Sequence, residues 1–302
     1  MGAVGRMWLM NADYVIVTDA TADLRPEMVR EMDLQVVPMT FAVNGKEWVY
    51  HPGQETASLE AFHEALHAGH PVTTSQVNGA VYEGVFAPHL EAGRDLLYIG
   101  FSSGLSGMHA GALQTADRLK MQFPDRRLVV VDSLCASVGQ GLLVHQAAQR
   151  RKQGWSLDRL ERWLLENRLA VCHWFRVEDL MHLKRGGRIS SASAVMGTAL
   201  QVKPVLCADR AGKLKTAAKI RGRKKSLACL VQALKDGFDP GQCPDVWICH
   251  VDAVEEARKL EEMVTGQMER ADVSVLPVGP IIGAHTGPGM VGLVFFGQQR
   301  DL

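Results

Sequence analysis

The sequence predicts an α/β fold: a parallel sheet covered by helices over the first half, then a smaller unit of mixed strands and helices. Three observations carry this. Short apolar runs alternate with helical stretches through residues 14–167, and their connections are short. From about residue 169 the texture changes to hairpins mixed with helices. The chain has 302 residues, 47% of them hydrophobic, enough for two cores. The expected division is an extension over 1–13, one domain over 14–168 and a second over 169–302. The extension lacks the apolar length and cleavage site of a signal peptide, and Met10 is a candidate start.

The elements follow in order. Tyr14–Thr18 is an apolar strand ending in Asp19-Ala-Thr-Ala-Asp23, and Pro26 opens a helix at its first turn, where the fixed φ of proline fits. Leu34–Val43 reads as one strand closed by an Asn44-Gly45 turn. Ser58 is placed to cap a helix running through His67. Pro71–Gln76 reads as a polar loop before the next helix. Asp95–Gly100 is a strand, Ser106–Met121 a helix, Arg127–Asp132 a strand, and Gly139–Gln153 and Ser156–Asn167 are helices. Ala170–Val177 is a strand, Glu178–Lys184 a short helix, and Val205–Ala208 with Lys213–Ile220 a hairpin turning at Asp209–Gly212. Ser226–Lys235 and Val254–Met268 are helices; Asp245–Val251, Val273–Val278 and Met290–Phe296 are strands.

Composition excludes several function classes. There are 33 Lys+Arg and 33 Asp+Glu, so the whole chain is no polycation. No run approaches 18 apolar residues, so no spanning helix is expected. The six cysteines, several of them in apolar runs and none in a C-x-x-C pair, read as buried thiols in a reducing cytoplasm. Neither G-x-G-x-x-G nor G-x-x-x-x-G-K-[ST] occurs, and no metal-ligand spacing appears, so no cofactor and no metal are expected. Asp19 and Asp23 stand where open α/β sheets bind ligands, but as helix-entry caps rather than a metal pair. Charge is concentrated in one place. Residues 184–225 hold twelve lysines and arginines against one acid, Asp209, leaving eleven positive charges in excess. Such a stretch either seeks an anionic partner or is a solvated face. It has no nucleic-acid reading motif, so no nucleic-acid partner is expected.

Two constellations carry chemistry. Gly100-Phe-Ser-Ser-Gly104 matches the nucleophile elbow of α/β-hydrolases, and Asp252 and His285 follow in the order of a serine esterase triad. The same hydroxyls serve a second task. A carboxylate only accepts hydrogen bonds, so its site needs donors, and Thr74, Ser102, Ser103 and His285 could supply them. His285 lies in Ile281-Ile-Gly-Ala-His-Thr-Gly-Pro-Gly289, read as a loop between strands.

These residues carry a resemblance. Val15–Leu24, Val37-Pro38, Thr73-Thr-Ser-Gln76, Ser102-Ser-Gly-Leu-Ser-Gly107, Val131-Asp-Ser133, Leu183-Lys-Arg-Gly-Gly-Arg-Ile-Ser190, Lys203-Pro204 and Gly283-Ala-His-Thr-Gly-Pro-Gly289 resemble, in this order, the DegV family. These proteins include the fatty-acid-binding B subunits of bacterial fatty acid kinase. The resemblance implies an N-terminal Rossmann-like parallel-sheet domain and a smaller C-terminal α/β domain with a mixed sheet. It implies a lipid-binding carrier rather than an enzyme, with no catalytic residue of its own. A long-chain fatty acid would lie in a tunnel, its carboxylate at the domain interface on Thr74, Ser102, Ser103 and His285. A kinase catalytic subunit would phosphorylate that carboxylate, and Arg185, Arg188 and Arg221 would face this partner or the new phosphate. The expected protein is a cytoplasmic monomer making only transient membrane contact. The sequence departs from the family pattern at Val77-Asn78 and Met108-His109, where Pro-Ser and Thr-Tyr are common.

Overall fold

The computed structural model describes residues 14–52, 57–190 and 201–300. The extension over 1–13, with Met10, and the side chain of Ser58 lie outside the described residues. From the amino end the chain runs β1 (Tyr14–Asp19), α1 (Pro26–Glu31), β2 (Leu34–Val37), β3 (Met39–Val43), β4 (Lys46–Tyr50), α2 (Ala57–His67), β5 (Val72–Thr74), α3 (Gly79–Glu91), β6 (Asp95–Gly100), α4 (Met108–Gln122), β7 (Leu128–Asp132), α5 (Val138–Lys152) and α6 (Leu157–Asn167). It continues as β8 (Val171–Arg176), α7 (Met181–Arg185), β9 (Val202–Ala208), β10 (Leu214–Arg221), α8 (Arg223–Gly237), β11 (Asp245–His250), α9 (Val254–Thr265), β12 (Asp272–Pro277), α10 (Pro280–Thr286) and β13 (Val291–Phe296).

The N-terminal sheet has the order β2-β1-β6-β7, every pair parallel. Its central strand β1 is buried along its whole length, as a parallel strand covered on both faces must be. The C-terminal sheet has the order β10-β9-β8-β13-β11-β12 and is mixed: only β11 and β12 run parallel. The α/β class with a parallel N-terminal and a mixed C-terminal sheet is thus observed. β10 is an edge strand whose outward positions are Lys215, Ala217, Lys219 and Arg221, and lysines along an edge oppose pairing with another chain.

Two local expectations are corrected. Leu34–Val43 is two strands, not one. Pro38 interrupts it because it has no N–H for a ladder, and β3 leaves the parallel sheet to pair with β4 and β5 in a separate antiparallel sheet. Pro71–Gln76 is not all loop, since Phe41, Ala42 and Val43 of β3 pair with Val72–Thr74.

The two larger sheets meet across α5. Its glycines let them approach: a Cβ on Gly139 would stand 1.9 Å from His173 Nε2, and one on Gly141 2.5 Å from the Ala22 carbonyl and 3.3 Å from the Trp247 ring. One apolar cluster therefore runs from Ile16 and Leu97 through Leu142 to Trp247 and Val294. Arg300, 6% exposed, pins the same junction. Its guanidinium donates to the carbonyls of Leu134, Asp209 and Arg168, each at 3.0 Å.

Candidate ligand-binding site

A cavity of about 1020 Å³, counting its mouth, opens where the carboxyl ends of the parallel strands face the C-terminal sheet. This is the edge at which open α/β sheets bind ligands. Most of the wall is apolar. Met39 comes from β3, Phe101 from just beyond β6, Leu134 from the β7–α5 connection, Val138 from the start of α5, Ile282 from α10 and Leu293 from β13.

Several polar groups in this wall are already bonded within the protein. The Thr21 hydroxyl donates to the buried Asp19 carboxylate, with Gln140 Oε1 2.8 Å away. Ser137 donates to Asp23. His173 Nε2 accepts from the Ala136 N–H at 3.3 Å, while Nδ1 stands 3.1 Å from the Val171 carbonyl. Burial, with Arg300 nearby, pushes the His173 pKa down to about 3, so the ring is neutral. Cys135 and Cys249 also line the cavity, and burial pushes both thiols up to about 12. They are apolar filling, not nucleophiles. Satisfying a polar group internally leaves the surface beside it suited to hydrocarbon.

A different polar cluster gathers at the mouth. Thr74, at the end of β5, places Oγ1 2.9 Å from Nε2 of His285, near the end of α10. Gln76, Ser106 and Arg188 join them in the wall. Arg188 donates to the Leu105 carbonyl through Nε at 3.1 Å. Burial first, and then the Arg188 charge, hold the His285 pKa down at about 4. At neutral pH the imidazole is therefore uncharged and carries one N–H. His285 was expected in a loop but lies in a helix. Pro280 sits at its start and Gly287, with φ of 77°, just beyond its end.

The structure thus brings Thr74, His285 and Arg188 together and treats the other candidates differently. Ser102 is fully buried, donates to the Gly212 carbonyl at 2.8 Å and accepts from the Gly104 N–H at 3.1 Å. Ser103 is exposed, and its N–H donates to Asp132. Neither is part of the cavity wall as described. Arg185 is exposed on α7. Arg221 closes β10 seven residues beyond Leu214, which touches the cavity, so the strand carries it roughly 23 Å from that point. Gln76 and Ser106 were not singled out from sequence, although both stand inside the Thr-Ser-Gln and Ser-Gly motifs.

The esterase triad does not assemble. His285 bonds Thr74, Ser102 gives its proton to a backbone carbonyl, and Asp252 pairs with His67 at 3.6 Å. The glycines of the apparent elbow answer packing instead. A Cβ on Gly100 would stand 2.5 Å from the Tyr98 ring, and one on Gly104 2.3 Å from the Ala211 carbonyl. Asp19 caps the turn Ala20–Ala22 as expected, whereas Asp23 closes that turn in the left-handed region and ties it to distant residues. Asp19 accepts from the N–H groups of Thr21 and Phe101 and from the Tyr98 hydroxyl, and Asp23 from the Gly279 N–H. Among the described residues no group of three or more His, Cys, Asp or Glu could hold a metal, and no helix is long and apolar enough to cross a membrane.

The comparisons with known proteins agree in direction. The family model described as "DegV: Uncharacterised protein, DegV family" matches residues 13–298. A DegV domain-containing protein of Clostridium perfringens is 38% identical over 288 residues, covering 95% of this chain and 99% of its own. A structure described as fatty acid binding of a DegV family protein from Thermus thermophilus has a TM-score of 0.82 at 27% identity, covering 94% of this chain and 99% of that one. That of DegV, a fatty acid binding protein from Bacillus subtilis, has a TM-score of 0.80 at 26% identity, covering 95% and 100%.

Proposed function

This chain belongs to the DegV family, and from that membership and the site we propose that it binds one long-chain fatty acid and presents its carboxylate at the Thr74–His285 mouth. The observation that carries the reading is the sorting of the cavity wall. Hydrogen-bonding groups gather at the mouth, while Thr21, Ser137 and His173 are bonded away from the lumen. That division fits a molecule with one polar end. Thr74 Oγ1 and His285 Nε2 share one hydrogen bond, so the neutral pair keeps one proton to donate, and Arg188 adds the positive charge a carboxylate wants. The Thermus and Bacillus relatives, described as fatty-acid-binding, support the same ligand class.

The energetics are sufficient. At ~0.8 kcal/mol per buried CH₂, a tail of about fourteen methylenes gains roughly 11 kcal/mol of gross transfer energy. Micromolar binding needs about 8 kcal/mol, so a surplus is left against ordering costs. Most of the affinity then lives in the tail, and the mouth fixes orientation. Trp174 lines the cavity and reports occupancy. Fluorescence titration with a C16 acid should saturate at one equivalent, and its methyl ester should bind about tenfold more weakly. A ligand-independent Trp signal with no saturable uptake would refute the reading.

A carrier of this kind needs a partner to act on the carboxylate. We place a kinase in that role, with half-buried Arg188 of the cavity wall and exposed Arg185 on α7 as the groups it would meet. Loaded protein with ATP alone should yield no hydroxylamine-trappable acyl phosphate, whereas addition of a fatty acid kinase catalytic subunit should. Failure with the subunit present would limit the protein to binding.

A further inference from the structure

Two histidines and two glycines interlock behind the mouth. Gly186 follows α7 with φ of −71°, a backbone value open to any residue, so nothing in the chain path calls for glycine there. Space does: a Cβ on Gly186 would stand 2.4 Å from Nδ1 of His285. The reciprocal contact comes from α7. The His182 ring lies so close to Gly287 that a Cβ there would stand 2.5 Å away. Gly187 differs from both. Its φ is 71°, but a Cβ would meet nothing within 4 Å.

We propose that His182 and Gly186 are positioning residues for His285, holding its imidazole against Thr74 by this ring-on-glycine interlock. The Leu183–Ser190 and Gly283–Gly289 motifs then form one unit: the first shapes the seat in which the histidine of the second sits. This rests on the head-group reading above, which assigns His285 its task. The charged and titratable groups around the ring are Arg188, which faces it, and Arg185 and Asp179, which surround His182.

The test uses the full chain, with histidine ring signals followed by NMR across pH and His285 assigned by loss of its signal in His285→Gln. Gly186→Ala and His182→Ala should each raise the His285 titration midpoint by a unit or more from about 4. They should also weaken C16 acid binding about tenfold without changing the preference among tail lengths. Gly187→Ala should lower Tm while leaving the His285 midpoint in place, which separates positioning from mere stability. If Gly186→Ala fails to fold, His182→Ala decides. An unchanged midpoint in the folded variants overturns the interlock. A wild-type protein that takes up no fatty acid overturns the head-group reading instead, and the ligand-free NMR comparison still stands.

Discussion

Ser102 shows how one hydroxyl can be read two ways. It has one proton, and the Gly212 carbonyl receives it. Ser102→Ala should therefore lower stability to urea by about 1 kcal/mol, the net worth of a typical buried hydrogen bond, and change acid binding little. Unchanged stability with lost binding would return Ser102 to the head-group site. Thr74→Val and His285→Ala should instead weaken binding about tenfold, equivalent to about 1.4 kcal/mol, in a titration of the folded variants. Asp23 supplies a pH signature. Burial outweighs its bonds from Ser137 and Gly279 and pushes its carboxyl from 3.8 up to about 7. Between these values the folded chain keeps a proton that the unfolded chain has released. Its contribution to stability therefore falls as pH rises through that window, by an amount on the order of a few kcal/mol. Asp23→Asn keeps an acceptor for Gly279 and should gain on the wild type between pH 4 and pH 7 in urea unfolding. No relative gain would mean Asp23 ionises normally. That Thr74 and His285 meet was hinted at by their hydroxyl and imidazole chemistry. That Ser102 spends its proton on Gly212, 110 residues away in the chain, was not, since only the folded path brings them together.

Elements with a strong period were legible. β1, β6, β7 and β13 are apolar runs, and the β9–β10 hairpin turns at the expected Asp209–Gly212. Elements defined by tertiary contact were not. β5 has three residues and exists because β3 offers it an edge. α10 holds only seven residues, one of them glycine, too few for a helical period, although Pro280 and Gly287 marked its ends. The glycines of α5 are the clearest element-level test. Gly139→Ala would drive a Cβ into His173 at 1.9 Å. It should cost about 1–3 kcal/mol, the usual penalty of overpacking, despite the better helix propensity of alanine. A neutral or stabilising result in chemical denaturation would mean that the sheets do not approach across this helix as described.

At the scale of the molecule, the basic segment divides. Lys203, half-buried, and Arg223, on the surface, both pair with Glu178, and Arg223 also reaches Glu256. Lys213, Lys215, Lys219 and Arg221 stay exposed along the hairpin. Part of the eleven-charge excess is thus internal pairing, which composition could not show, and part remains a cationic face open to a partner. The sheets, the interposed α5 and the Arg300 clamp leave one side of the junction for a cavity whose wall is sorted into an apolar lumen and a donor-rich mouth. The claim that this sorting serves a long-chain fatty acid is tested most directly by native mass spectrometry of the purified protein, followed by solvent extraction and lipid analysis. The account predicts one equivalent of a fatty acid with a C14–C20 tail, or its stoichiometric uptake when added to apo protein. A clean apo mass that refuses added acid would contradict it.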